Sequence, residues 1–440
     1  VVTYPAVPTL ATSDRYIVTV NGQNVWTEKF QTQMEIEKLP SWFTGVPYTQ
    51  VQQEVHIANF SGAGRLFVQI QMNKKINHAT IRPKSRGIQA EIHDNILKFS
   101  LPGPDKLYIE IDDHPPLCFF ANPLETEFPD QNDPHVKYFG PGVHEPGLIT
   151  LKDNDVLYIA GGAIVYGGLR LEENASNVRI LGRGILDGGF KYSRMVRLVN
   201  GTQIEFNGII IRNGVNWTNT LINCTDVRYQ DVKVISFGPG GDGINPLGSK
   251  NVMIQNCFLR CTDDCIAIKA PDSTHMVENV QVLNNTMIGY AFSDGVTIGF
   301  ETNGPAVRDV LVKNCDILQA RGGSRVDGHS AFSIICDGPA TISNIHYEDI
   351  RVDADVFKLF ELHITDGTKY GANPPGHIQK VWFKNISWEP ERPIILKGFD
   401  AQHLVEDVTF EDCRVAGRRL DSLNKKIFEV NEFVKDVKFR

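Results

Sequence analysis

The sequence predicts an all-β protein, a parallel β-helix (solenoid) preceded by an antiparallel β-sandwich. Three observations carry that expectation. A short strand motif recurs at near-constant spacing along most of the chain. The first ~120 residues instead alternate apolar and polar residues at period two. Between the recurring strands, no segment shows helical periodicity of useful length.

Composition sets the outer bounds. At 440 residues the chain can bury a large core, and 42% hydrophobic residues with 38 Gly and 23 Pro fit a turn-rich globular protein. The formal net charge is −8 and no Lys/Arg run stands out, so nucleic acid and anionic membrane surfaces have no electrostatic support as partners. No window reaches the ~18 apolar residues of a membrane span. The first residues, VVTYPAVPTL, lack the layout of a signal peptide. Sequons at Asn59, Asn174, Asn200, Asn216, Asn223, Asn284 and Asn385 would suit a secreted glycoprotein, although Asn also has a structural use in the repeats. No cofactor or resident metal is expected, and nothing in the sequence indicates an oligomeric state.

The sandwich is expected over residues 1–130. RYIVTV, RLFVQIQM, ATIRP, ILKFSL and KLYIEIDD alternate at period two and are separated by turn signals. A Pro- and acid-rich connection over 121–147 leads into the solenoid, expected over residues 131–440.

The repeat reads as a polar residue, Val or Ile, any residue, an apolar residue, then Asn or Asp. Its anchors are Val178, Val227, Val252, Val280, Val310, Ile345, Val381 and Val408, with weaker copies at Val156 and Ile204. Near-constant spacing with tolerated insertions describes coils whose loops vary on one side. Four residues after the anchor stands Asp231, Asn256, Asn284, Asn314, Asp349, Asn385 or Asp412, suited to a tight bend because Asn and Asp tolerate the left-handed region. The next slot holds Cys257, Cys315 or Cys413 in some coils and Val or Ile in others, which predicts buried thiols. Cys261 and Cys265, at C-x3-C spacing, leave a local disulfide open.

Aligning coils by their anchors puts Asp242, Asp264 and Asp294 in one place, on the rungs GDGINPL, TDDCIAIK and SDGVTIGF, with Asp263 beside them. Rungs of a parallel sheet lie ~4.8 Å apart, so these carboxylates become neighbours whose titrations couple. A retained proton beside ionised acids is the arrangement that glycosidic cleavage uses. Two alternatives remain: Asp-Gly as a plain turn dipeptide at Asp242 and Asp294, and clustered Asp as a Ca²⁺ site.

The Asp to Asp-Asp separation of 21 residues, FANPLE, FGPGVHEPG, VLYIAGGAIVYGGL and VRILGRGILDG resemble the polygalacturonase-like glycoside hydrolases of family 28 and, more extensively, the dextranase and isopullulanase group of family 49. The resemblance implies a right-handed parallel β-helix and an inverting hydrolase. Asp263 would be the general acid, Asp242 and Asp264 the bases holding water, and Lys269 a substrate-binding residue. Family 28 carries a Gly-His-Gly turn and an Arg-x-Lys strand where this chain has Ser293-Asp294-Gly295 and SAFSI. That difference favours a neutral, α-linked glucan of the dextran or pullulan kind over galacturonan. Asp294, Tyr290, Glu301 and His329 are the other expected substrate-binding residues, with Phe292, Phe300, Arg325, Glu361 and His363 near the same face. Competing readings are a pectin hydrolase, a polysaccharide lyase or uronan epimerase, and a non-catalytic glycan-binding solenoid. A secreted, extracellular or periplasmic location goes with a polysaccharide substrate.

Overall fold

The computed structural model describes residues 1–31, 54–289, 293–320, 330–353 and 356–440. Along residues 136–439 the chain winds as a parallel β-helix. One sheet of twelve strands runs in register from Val136–Phe139 to Val434–Phe439, and two interleaved ladders within a 21-stranded sheet form the remaining faces. A typical coil therefore contributes three short strands, as in Lys250–Gln255, Phe258–Cys261 and Ile266–Ala270.

The anchors stack as one column. Val178, Ile204, Val227, Val252, Val280, Val310, Ile345, Val381 and Val408 pair rung to rung and are all buried. The weak copy at Val156 is one residue out. Val156 pairs with Arg179, which leaves the buried Asp155 level with Val178. Between the anchor and the bend, aromatic rings stack at rung spacing, including Phe206 on Tyr229 at 4.3 Å and Tyr347 on Phe383 at 5.2 Å.

Both ends of the repeated strand bend through the left-handed region. Asp231, Asn256, Asn284, Asn314, Asp349, Asn385 and Asp412 have φ between 51° and 57°. A second column, not foreseen, precedes the anchor: Asn177, Gln203, Asp226, Asn251, Asn279, Asp309, Asn344, Lys380 and Asp407 also have positive φ. Side chains in these columns bond from coil to coil. Asn279 Nδ2 donates to Asn251 Oδ1 at 3.0 Å, Asn251 Nδ2 to Asp226 Oδ1 at 2.8 Å, and Asn314 Nδ2 to Asn284 Oδ1 at 2.8 Å. The sequon at Asn385 belongs to such a ladder and that at Asn223 makes a similar coil-to-coil bond, their amide nitrogens donating to Asp349 and Asn200. Asn59 donates to the Arg183 carbonyl. In these three, the nitrogen that glycosylation would modify is in use within the fold.

All eight cysteines are free and buried, so Cys261 and Cys265 are not bridged. Cys257, Cys315 and Cys413 fill the slot after the bend, as the register predicts.

Preceding the solenoid, two sheets face each other across a core that includes Val18, Phe60, Ile70, Phe99 and Phe119. The five predicted segments are strands here. One pairing departs from the antiparallel expectation: Leu117–Pro123 runs parallel to Glu54–Gly62. The connection expected over 121–147 is also more structured than its composition suggests, because it contains Val136–Phe139 and the start of Gly142–Leu151, strands of the first coil.

Sandwich and solenoid share a buried polar seam. Arg212 pairs with Glu28 at 2.9 Å and Asp187 at 2.7 Å, and Lys106 pairs with Asp231 at 2.5 Å. Lys233 donates to Asn122 and to the Gly208 carbonyl. Phe120 on Phe258 and Phe30 on Phe237 pack across the same seam.

Asn279→Ala should destabilise the protein by about 1–2 kcal/mol, because alanine takes a left-handed bend less readily than asparagine and the ladder bond is lost. Asn279→Gly should cost less. Denaturant unfolding of both variants checks this, and equal losses would remove backbone conformation as the cause.

Candidate active site

Strand register brings the acids together. Ile244 pairs with Ile266 and Ile266 with Val296, so Asp242, Asp264 and Asp294, each two residues earlier, lie on successive rungs. The backbone ties them directly: Gly243 N–H donates to the Asp264 carbonyl at 2.8 Å and Cys265 N–H to the Asp294 carbonyl at 2.9 Å. Asp294 N–H donates to the Asp264 carboxylate at 2.9 Å.

The turn explanation of Asp-Gly does not fit these positions. Neither Gly243 nor Gly295 has a positive φ. Both are glycine because the next rung passes too close for a side chain. A Cβ would lie 2.4 Å from the Cys265 carbonyl oxygen at Gly243, and 2.8 Å from an Ile317 methyl at Gly295.

The four carboxylates differ in surroundings. Asp242 and Asp294 are buried, whereas Asp263 and Asp264 remain partly open to solvent. Asp242 accepts from Asn245 Nδ2 at 2.7 Å. Asp294 spends both oxygens on the next rung, accepting from Ser330 N–H at 2.6 Å and from the Ser333 hydroxyl. Asp263 accepts from the N–H of Asp264 at 3.0 Å.

Burial and mutual repulsion favour the protonated forms. Burial, then the charges of Asp263 and Asp264, pushes Asp242 well above the usual carboxylate range. Burial and Asp263 do the same to Asp264, and burial and Asp264 to Asp294. Burial raises Asp263 to about 6, opposed by its backbone hydrogen bond and by Lys269. Such a set titrates as a unit and holds protons where an isolated aspartate would not.

Lys269 supplies the positive charge. Its Nζ is 2.6 Å from Glu301 and 4.9 Å from the ring centre of Trp217. Burial works against its charge, but Glu301, Asp242 and Asp264 outweigh it and raise its pKa. Elsewhere, Asp14, Glu54 and His56 lie within metal-ligand reach of one another. Lys29 already neutralises that group, 2.9 Å from Asp14 and 3.8 Å from Glu54, with Arg15 3.7 Å from Glu54.

Of the expected substrate-binding residues, Lys269 and Glu301 meet the acids as a pair. Asp294 faces the next rung. Phe300 packs against Tyr370 at 5.7 Å, and Glu361 pairs with Lys358 and with His363 at 3.3 Å, one rung beyond Ser333. Tyr290, Phe292, Arg325 and His329 lie outside the described residues. The sequence reading missed Trp217, Asn245 and Arg194. Trp217 stands 25 residues before Asp242, one coil earlier, and Arg194 lies 4.3 Å over its ring. Coil spacing could have found Trp217.

Comparison with known proteins gives a consistent picture. The matching family pattern is "Glycosyl hydrolases family 28", over residues 146–431. A probable exopolygalacturonase B of Aspergillus flavus is 27% identical over 225 residues, 47% of this chain and 49% of that protein. An endo-polygalacturonase of Pectobacterium carotovorum is 26% identical over 184 residues, 42% of each. The chain thus spans about half the length or less of these curated relatives. Among solved structures, Dex49A from Penicillium minioluteum superposes over 100% of this chain and 96% of its own, with a TM-score of 0.65 and 13% identity. A hyperthermoactive exopolygalacturonase from Thermotoga maritima covers 69% of this chain and 83% of its own, with a TM-score of 0.53 and 17% identity. At such identities the structural likeness establishes a shared fold.

A carboxyl whose folded pKa is raised favours the folded state below its unfolded pKa and loses that contribution as pH rises through the folded value. Asp263→Asn should therefore be more thermally stable than wild type at pH 8, with the difference closing toward pH 4. A difference that stayed constant across that range would show that ionisation of Asp263 carries no cost in the fold.

Proposed function

The chain belongs to the glycosyl hydrolases family 28, and from that premise we propose that it is a glycoside hydrolase that cleaves a galacturonate-containing polysaccharide with inversion at the Asp242–Asp263–Asp264 cluster. The observation that carries this reading is the acid column itself, in which stacked rungs hold several carboxylates around one lysine.

Asp263, partly open to solvent and first of the Asp-Asp pair that carries the family resemblance, gives its proton to the leaving oxygen. Asp242 and Asp264 hold the attacking water between consecutive rungs. Asn245 fixes Asp242, and the N–H of Asp294 fixes Asp264. Asp294 acts as a positioning residue, since Ser330 and Ser333 occupy its oxygens. Lys269 steadies the ionised members of the set and, with Trp217, offers one cationic and one aromatic surface to a sugar ring.

The names of the relatives that share part of this chain favour a galacturonate polymer over the neutral α-linked glucan expected from the sequence. Likeness to Dex49A supports the architecture, not the substrate. A polymer substrate places the enzyme outside the cell or in the periplasm.

Asp263→Asn should lower turnover by about 10²–10⁴-fold while the protein still folds and binds glycan. Retention of more than about a tenth of wild-type activity would remove the proton-donor role. Reducing-sugar release should be fastest on polygalacturonate or mixed pectin within a panel that includes dextran and pullulan. The first product, followed by NMR, should carry the inverted anomeric configuration. Products absorbing in the ultraviolet would indicate a lyase instead.

A further inference from the structure

We propose that Arg197, with Arg194 and Arg170 beside it, forms a subsite for a uronic acid carboxylate on the rungs before Asp242, so that the acidic sugar is recognised away from the bond being cleaved. This rests on the polysaccharide hydrolase reading above.

Register locates the subsite. Arg170 pairs with Arg197, Arg197 with Thr220 and Thr220 with Asn245, giving one column across four rungs. Asn245 is the residue that donates to Asp242. Val196 and Leu198, flanking Arg197, point into the core, so Arg197 points outward, and it is exposed. Two rung spacings put its backbone roughly 10 Å from that of Asn245. That is too far for the ring under attack and suits a sugar further along the polymer.

Several arginines lack a carboxylate partner among the described residues, and these three do so on adjoining rungs. Arg179 pairs with Glu127 and Glu205, Arg212 with Glu28 and Asp187, and Arg351 with Asp316. Among the described residues, Arg170, Arg194 and Arg197 have no carboxylate partner, in a chain whose net charge is −8. Arg170 is held instead by the carbonyls of Leu169, Arg194 and Met195 at 2.7, 3.2 and 3.0 Å. Burial and the nearby charge of Arg197 both disfavour its own charge. A bound carboxylate would relieve that repulsion, and a guanidinium fork matches carboxylate geometry.

One further feature fits a sugar in this place. Trp217 is half-buried between the guanidinium of Arg194 and the ammonium of Lys269, joining the arginines to the acid column. The rung after Asp294 turns Ser330 and Ser333 toward the acids.

The test uses the full chain carrying Asp263→Asn, titrated calorimetrically with trigalacturonate and with its carboxyl-reduced counterpart. The acidic trimer should bind more tightly, and increasingly so at low salt. Adding Arg197→Gln should weaken the acidic trimer by about tenfold and leave the reduced trimer unchanged. Thermal melting checks that the variant is folded; if it is not, Arg194→Gln is read in the same way. Equal affinity of the parent for both trimers, equal loss of both in the variant, or no binding of the acidic trimer would each overturn the subsite. Any of these results would leave the hydrolase reading standing, because that reading is judged separately by bond cleavage on the polymer panel. Failure of cleavage with the charge preference intact would overturn only the hydrolase reading.

Discussion

Parallel stacking of rungs ~4.8 Å apart is the constraint on which the rest of this structure depends. Once Val178 through Val408 are aligned in one buried column, every other position in the coil is aligned as well. A slip of one residue would turn the anchors outward and their polar neighbours into the core, so the register is strongly defined. The same alignment that fills the interior places Asp242, Asp264 and Asp294 side by side, though 22 and 30 residues separate them in the chain. Core and site share one cause.

Holding those acids together costs folding free energy, and the surroundings show how the cost is contained. Lys269 is inserted among them and kept charged by Glu301. Asn245, the Asp294 N–H, Ser330 and Ser333 occupy carboxylate oxygens that would otherwise be buried without partners. What remains is a shared, upward-shifted titration. A site of this kind trades stability for a proton held near neutral pH.

Much of this was legible because the repeat is written in residue chemistry. Asn and Asp at the bend announced left-handed backbone, and all seven positions adopt it. The alignment of coils brought out the three aspartates. The second bend, before the anchor, was hidden because Gln203 and Lys380 serve there beside Asn and Asp, so no single residue type marks it. Val156 misled because the first coil has its own register, with Asp155 at the anchor level. Gly243 and Gly295 looked like turn residues, whereas their small size answers the neighbouring rung, which is a tertiary fact. Trp217 and the arginines were missed because their rungs lack an aspartate. Coil spacing alone would have set Trp217 level with Asp242, whereas the outward direction of Arg197 follows only from Val196 and Leu198 facing the core.

On the proposed reading, chemistry and recognition are separated along the solenoid axis. The middle rungs supply the acids and are tightly coupled, so a change at Asp264 alters the protonation of Asp242, Asp263 and Asp294 together. The rungs before them meet the acid column through Trp217, whose ring faces Lys269, and through Thr218, whose N–H donates to the Asp242 carbonyl. Arg197 and Arg170 can therefore be exchanged without disturbing the proton-holding set, because rung stacking is carried by the inward-facing Val196 and Leu198 and by backbone hydrogen bonds. The sandwich braces the solenoid through Glu28 against Arg212 and Lys106 against Asp231, residues that lie on other strands from the arginines. A β-helix can thus alter the sugars it recognises by changing outward positions one rung at a time, while the rungs that break the bond keep their register.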